Sequence, residues 1–179
     1  MKTVLFVLRL ALTLLAITAV VAVALAGVNM ITAPAIAELN AQNTQAAIEA
    51  VLPGGGEELA SFPAVNLVSK VYASDAGYAV QVTPGGFDNT ITMMVGVDKS
   101  GNVLGIDVIS HTETAGLGAV SDAETPAGIA FREQFIGQSG SVAVSKDGGQ
   151  MDAITGATIT SRAVCAGVNA ALECVAQMG

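Results

Sequence analysis

Residues 77–110, GYAVQVTPGGFDNTITMMVGVDKSGNVLGIDVIS, alternate between runs rich in β-branched residues and short polar turns. The β-rich runs cover 77–83, 90–97 and 102–110, and a further run, NLVSKVYA, precedes them at 66–73. The joints SDAG, PGGFDN and DKSG contain the Gly, Asp and Asn residues that tight hairpins require. The stretch therefore predicts an antiparallel meander of about four strands.

Helices are predicted on both sides of this meander. Residues 37–56, AELNAQNTQAAIEAVLPGGG, favour a helix that Pro53 and three glycines end. Downstream, PAGIAFREQFIG at 126–137 starts with Pro and ends with Gly, which is typical of a short helix. A last helix is predicted from near Thr160, and GSVAVS at 140–145 is a candidate strand. The predicted fold class is α+β, an antiparallel sheet with flanking helices.

The N-terminal segment predicts a membrane anchor. An uncharged apolar run from Leu10 to Val28 is long enough to span a bilayer as a helix. Lys2 and Arg9 lie at its start, and all fifteen Asp and Glu residues follow it. Since Lys and Arg favour the cytoplasmic side, we expect a single-pass inner-membrane protein with a cytoplasmic N-terminus and an extracytoplasmic domain. A cleaved signal peptide is the alternative, because TAPAIA at 32–37 offers small residues of the cleavage type.

The 179-residue chain is predicted to have three parts: an anchor at 1–30, a helical connector at 31–56 and a C-terminal domain at 57–179. After the anchor, five bases stand against fifteen acids, and this negative charge argues against nucleic acid as a partner. Cys165 and Cys174 fall in one predicted helix, where they cannot bond to each other. We interpret them as small buried side chains, and no metal site is predicted.

DAITGATITS at 152–161 crowds hydroxyl side chains onto a predicted helix start. A helix N-terminus presents unpaired N–H groups and suits phosphate, and Gly156 and Ala157 leave room for a ligand to approach the backbone. The hydroxyls could donate to phosphate oxygens, or one could be esterified by phosphate. Plain helix capping is the alternative interpretation. The four hydroxyl residues are Thr155, Thr158, Thr160 and Ser161.

A second stretch, SHTETAGLGA at 110–119, directly follows a predicted strand. It contains the single histidine, His111, and Glu113 two positions later, followed by two glycines. These polar groups could bind a polar ligand, with the glycines permitting a tight exposed turn. A hairpin loop with solvated side chains is the alternative.

The anchor, the meander and the two stretches, in this order, resemble the FMN-binding domain family of bacterial membrane redox complexes. The family pattern D-x-x-[S/T]-G-A-T-x-[S/T] matches from Asp152 to Thr160, and the pattern H-x-E-T-P-G-L-G matches from His111 with Ala115 in place of Pro. The resemblance implies one FMN joined through its phosphate to Thr158. It places around this cofactor His111, Glu113, Thr114, Gly116, Leu117, Gly118, Thr155, Gly156, Ala157, Thr160 and Ser161.

The resemblance further implies that this chain alone catalyses no complete reaction. No catalytic residue is predicted in it. We expect an electron-transfer subunit of an ion-translocating ferredoxin:NAD oxidoreductase, with integral membrane subunits of the same complex as partners. A flavin transferase with FAD as donor would attach the cofactor. The alternatives are a subunit of a sodium-pumping NADH:quinone oxidoreductase and a flavin-binding module without turnover. Since the chain lacks Trp, Leu117 is expected against the flavin ring, with Met93 or Met94 as further candidates.

Overall fold

The computed structural model describes the backbone of residues 2–178 and the side chains from Phe6 onward. Met1 and Gly179, the ends of the predicted anchor and C-terminal domain, lie outside the described residues, as does the side chain of Lys2. The chain forms two compact units, Met1–Gln42 and Asn43–Gly179.

Helix α1 runs from Lys2 to Val51, with Pro34 inside it. Its side chains from Phe6 to Gln42 are exposed, and by length and composition this helix could cross a membrane. The hydroxyls of Thr13, Thr18 and Thr32 donate to carbonyl oxygens one turn earlier, so these polar groups are satisfied within the helix itself.

The second unit contains an antiparallel sheet of five strands in sequential order, which confirms the predicted meander. The strands are β1 Glu57–Glu58, β2 Val68–Ala73, β3 Gly77–Val82, β4 Thr92–Asp98 and β5 Val103–Ser110. The short β1 is the addition to the prediction. Its two glutamates have no strand propensity, and they pair with Ala73 and Tyr72 only because the chain turns back beside β2.

Both faces of the sheet are covered. Helix α2, Pro126–Glu133, and helix α3, Thr158–Ala176, lie on one face, where Val80, Met93 and Phe135 form part of the main core. On the other face the last turns of α1 pack over a smaller core. Here Gly96 lies so close to the carbonyl of Val51 that any Cβ would collide with it. This smaller core contains Ala47, Ile48, Val51, Leu52, Tyr72, Ala79 and Met94.

The predicted strand at 140–145 is wrong. Val142 is buried, but the Asn169 side chain accepts from its N–H at 2.8 Å and donates to its carbonyl at 2.9 Å. One side-chain amide thus replaces a partner strand, and the chain continues into a 3-10 turn at Ser145–Asp147.

Helix α3 begins at Thr158, two residues before the predicted start. It buries both Cys165 and Cys174, which are free thiols, as the sequence predicts. Burial raises the pKa of the Cys165 thiol to about 11.

Candidate functional site

The start of α3 has no side-chain cap. Its N-cap residue is Ala157, whereas in α2 the hydroxyl of Thr125 accepts from the N–H of Gly128. The capping interpretation of the hydroxyl cluster is therefore wrong, because none of the four hydroxyls binds the first turn in the way a cap does. The positive end of α3 is left open to a ligand.

The hydroxyls of this cluster differ in their surroundings. Thr160 is buried and donates to Oε2 of Glu113 at 2.5 Å. Ser161 is buried, donates to the carbonyl of Ala157 and accepts from a backbone N–H, each at 3.0 Å. Thr158 is half-buried at the first helical position and accepts from Nζ of Lys146 at 3.2 Å, while Thr155 is exposed. Thr158 and Thr155 are thus the two hydroxyls that a large group can reach.

Glu113 joins three separate segments. Its Oε1 accepts from the backbone N–H groups of Phe87 at 2.8 Å and Asp88 at 3.4 Å, while Oε2 accepts from Thr160. Any Cβ at Gly86 or Gly118 would collide with this carboxylate. The sequence predicts Glu113 as a ligand contact, but both of its oxygens are engaged within the protein, and its visible role is to hold the site together.

His111 lies beside this network but not against either cavity described below. Its Nδ1 accepts from the backbone N–H of Glu113 at 3.1 Å, so the proton is on Nε2, which lies 3.7 Å from Oδ2 of Asp122. The ring therefore fixes the turn that delivers Glu113.

Except for His111 and Ser161, which line neither, the predicted site residues divide between two cavities. The first, of about 280 Å³, is called the α3 cavity, and the second, of about 540 Å³, the α2 groove. Of the predicted residues, Thr155 and Gly116 lie in the α2 groove. The α3 cavity is lined by Phe87, Glu113, Thr114, Leu117, Gly118, Lys146, Gly156, Ala157, Thr158, Ile159 and Thr160.

The α2 groove contains the start of the hydroxyl stretch. The Gln134 side chain holds the backbone of Asp152 there: it accepts from the Asp152 N–H at 2.7 Å and donates to the Asp152 carbonyl at 3.3 Å. The Asp152 side chain is exposed. A wider depression of about 1060 Å³, lined in part by Glu49, Glu57 and Asp75, contains none of the predicted site residues.

An apolar rim surrounds the α3 cavity. Phe87 is 67% exposed, Leu117 43% and Ile159 48%, although each belongs to a folded segment. Met93 and Met94 are fully buried in the two cores, so their candidacy for ring contact is wrong. Phe87 was missing from the predicted site. The sequence feature that could have indicated it is an aromatic residue directly after Gly85 and Gly86 in a turn.

Lys146 was also missing from the predicted site, and it is the one base among the residues that line the α3 cavity. Next to it, Asp147 accepts two hydrogen bonds from Arg162 on α3, at 2.7 and 2.6 Å. These bonds lower the pKa of Asp147 and raise that of Arg162. The 3-10 turn that carries Lys146 is thereby tied to the first turns of α3. The signal in the sequence was a rare cation in an acidic chain.

Comparison with known proteins identifies the family of this chain. The FMN-binding domain family matches residues 86–173, which include Phe87, Lys146 and Thr158. The G subunit of the Na(+)-translocating ferredoxin:NAD(+) oxidoreductase complex of Acetobacterium woodii is 31% identical over 93% of this chain and 90% of its own length. The G subunits of the ion-translocating oxidoreductase complexes of Vibrio vulnificus and Aliivibrio fischeri are 42% and 39% identical.

The last two matches cover 52% and 54% of this chain, and 46% and 48% of the respective relatives. The Acetobacterium match extends over nearly the whole chain. The chain belongs to the FMN-binding domain family, among the G subunits of ion-translocating oxidoreductase complexes.

Proposed function

We propose that this protein is the membrane-anchored electron-transfer subunit of an ion-translocating ferredoxin:NAD oxidoreductase, with one FMN joined through its phosphate to Thr158. The observation that carries the proposal is the Thr158 hydroxyl itself. It lies at the open end of α3, in a cavity with an apolar rim, and accepts a hydrogen bond from Lys146 at 3.2 Å. The names of the relatives favour this complex over a sodium-pumping quinone reductase.

The residues around Thr158 fit a phosphate group. The uncapped first turn of α3 offers a positive dipole end, and Lys146 offers a full positive charge. Gly156 has φ +79°, and a Cβ there would stand 2.9 Å from Cδ2 of Leu117. Gly156 thus allows a backbone turn that leaves Thr158 accessible.

The rim of the α3 cavity fits an aromatic ring. Phe87, Leu117 and Ile159 would supply apolar contacts to the isoalloxazine, and Phe87 is the one aromatic residue among the lining residues. When bound, FMN supplies the electron uptake and release that amino-acid side chains lack. The cavity, at about 280 Å³, is near the lower limit for small-molecule pockets. A flavin ring held by this partly exposed rim would be within reach of partner subunits that exchange electrons with it.

Attachment of the cofactor requires help from another protein. A threonine hydroxyl becomes nucleophilic only with an adjacent base or metal ion. The group hydrogen-bonded to Thr158 is the ammonium of Lys146, which has no lone pair and cannot accept the hydroxyl proton. A flavin transferase with FAD as donor would therefore supply the base and act on this chain during maturation.

The topology belongs to the same proposal. Residues 1–30 form the anchor and 31–56 the connector, and 57–179 form the FMN domain outside the cytoplasm, with partner subunits in the inner membrane. Protease added outside the inner membrane should digest the domain while leaving the anchor. Digestion only after the cytoplasmic side is opened would reverse the proposed orientation.

The experiment that tests the attachment compares two threonine variants of the full chain, each made in cells with the transferase. Thr158→Val should abolish in-gel flavin fluorescence after denaturation, and the intact mass should lose the increment of one FMN minus water. Thr155→Val is the matched control, because Thr155 is exposed in the turn just before α3 and undergoes the same chemical change. Thr160 is a poor control, since its hydroxyl holds Glu113. A fluorescent band from Thr158→Val would show that the flavin is attached to another residue.

A further inference from the structure

We propose that Lys146 is a positioning residue for flavin attachment: its ammonium orients the Thr158 hydroxyl and then remains as the counter-charge of the phosphodiester. This inference rests on the proposed function, because it requires Thr158 to be the acceptor. Lys146 lies twelve residues before Thr158 and outside the hydroxyl motif, and its Nζ stands 3.2 Å from Thr158 Oγ1.

The direction of this hydrogen bond determines where the hydroxyl proton points. An ammonium has donors only, so it occupies a lone pair of Thr158 Oγ1. The hydroxyl hydrogen then points away from Lys146 and is available to a base of the transferase. A second lone pair of the oxygen remains for attack on phosphorus.

The attachment step creates the charge that Lys146 would meet. Thr158 Oγ1 forms a bond to the phosphorus of the flavin phosphate in FAD, and the pyrophosphate bond to that phosphorus breaks. AMP leaves with the bonding electron pair, and the hydroxyl proton passes to a base of the transferase. Negative charge develops on Oγ1 as the proton leaves, and the resulting phosphodiester keeps one negative charge. A fixed ammonium next to Oγ1 stabilises both.

Lys146 is exposed, and contacts on both sides hold the 3-10 turn that carries it. Asp147 and Arg162 tie the 3-10 turn to α3 by two hydrogen bonds. On the other side of the turn, Gly149 packs so closely on the carbonyl of Ala143 that any Cβ would collide with it. The carboxyl group of Glu113, the one acidic side chain of the cavity lining, already accepts from three donors of its own. Lys146 acts on the neighbouring carboxylate of Asp147 through its charge, while its hydrogen bond goes to the acceptor hydroxyl.

The test measures how fast flavin is attached to the flavin-free full-length protein in detergent, with purified flavin transferase and FAD. Lys146→Met keeps the length of the side chain and removes the charge. It should lower the initial rate roughly 10- to 100-fold, as expected for the loss of one hydrogen bond to a charged group. Lys146→Arg should recover most of the rate. Lys99→Met is the matched control and should label at the wild-type rate, since Lys99 is exposed in the β4–β5 turn.

Two further readouts separate positioning from a structural role. Asp147→Asn loosens the 3-10 turn and keeps the ammonium, so it should slow labelling less than Lys146→Met. In protein labelled to completion, Lys146→Met should shift the ³¹P resonance of the phosphodiester, whereas Lys99→Met should not.

The outcomes distinguish this inference from the proposed function. Labelling of Lys146→Met at the wild-type rate would overturn the role of Lys146 while Thr158 stands. Slowing by Asp147→Asn equal to that by Lys146→Met, without rescue by Arg, would assign the effect to the turn and overturn it as well. A wild-type protein that takes no flavin, or a labelled Thr158→Val variant, would refute the proposed function itself.

Discussion

Replacing Glu113 by Ala should destabilise the protein much more than replacing it by Gln. Replacing it by Ala leaves the buried Thr160 hydroxyl and the Phe87 N–H without their acceptor. An unpaired buried donor such as the Thr160 hydroxyl costs about 1–3 kcal/mol, and the part-buried Phe87 N–H adds a smaller cost. Relief of the buried carboxylate offsets part of this sum, so we expect the free energy of unfolding to fall by about 2–4 kcal/mol.

Glu113→Gln should be much milder. The amide oxygen can accept from the Phe87 N–H while the amide nitrogen donates to Thr160, whose hydroxyl is able to turn and accept. The remaining loss is that of charge assistance, about 1 kcal/mol. The contrast between the two variants thus depends on the donor pattern and not on side-chain volume.

Thermal unfolding of the full-length protein in detergent, followed by circular dichroism, measures both variants. At roughly 3–5 °C per kcal/mol for a domain of this size, Glu113→Ala should lower the midpoint by about 6–20 °C and Glu113→Gln by less than about 5 °C. Equal midpoints for Ala and wild type, or equal losses for Ala and Gln, would show that Glu113 does not hold the three segments together.

Three other predictions concern the rim, the thiols and pH. Phe87→Ala should leave covalent attachment intact and shift the flavin absorption spectrum and midpoint potential, while unchanged values would remove Phe87 from the ring contact. Cys165, with a pKa raised to about 11 by burial, and Cys174 should resist iodoacetamide at pH 8 until the protein is unfolded, as native mass spectrometry can check. The hydrogen bonds from Arg162 lower the pKa of Asp147 in the folded protein. This pair therefore stabilises the fold above pH 3.8, the ordinary pKa of Asp, and the stabilisation is lost as pH falls through the lowered folded pKa. The unfolding midpoints of wild type and Asp147→Asn should therefore differ at pH 7, begin to converge as the pH falls below 3.8 and meet only below the lowered folded value.

The sheet and the long helices could be predicted from the sequence because their signals are local. Runs of β-branched residues separated by Gly and Asp turns specify hairpins whose partners are neighbours in the chain. The apolar run of α1 likewise needs no tertiary contact to be recognised. The strand predicted at 140–145 failed because its backbone groups are paired by Asn169, a residue of α3 that is remote in the sequence.

The candidate site divides along the same line. By itself, the sequence determined the hydroxyl motif at 152–161, the loop at 110–119 and their likeness to a flavin-binding family, since these depend on residue identity and spacing. Only the tertiary structure decided that Thr160 is committed to Glu113, that Lys146 faces Thr158, and that Phe87 lies on the rim. The physical reason is that each of these contacts joins segments brought together by the packing of α3 and its neighbouring loops against the sheet. No local periodicity or motif encodes that geometry.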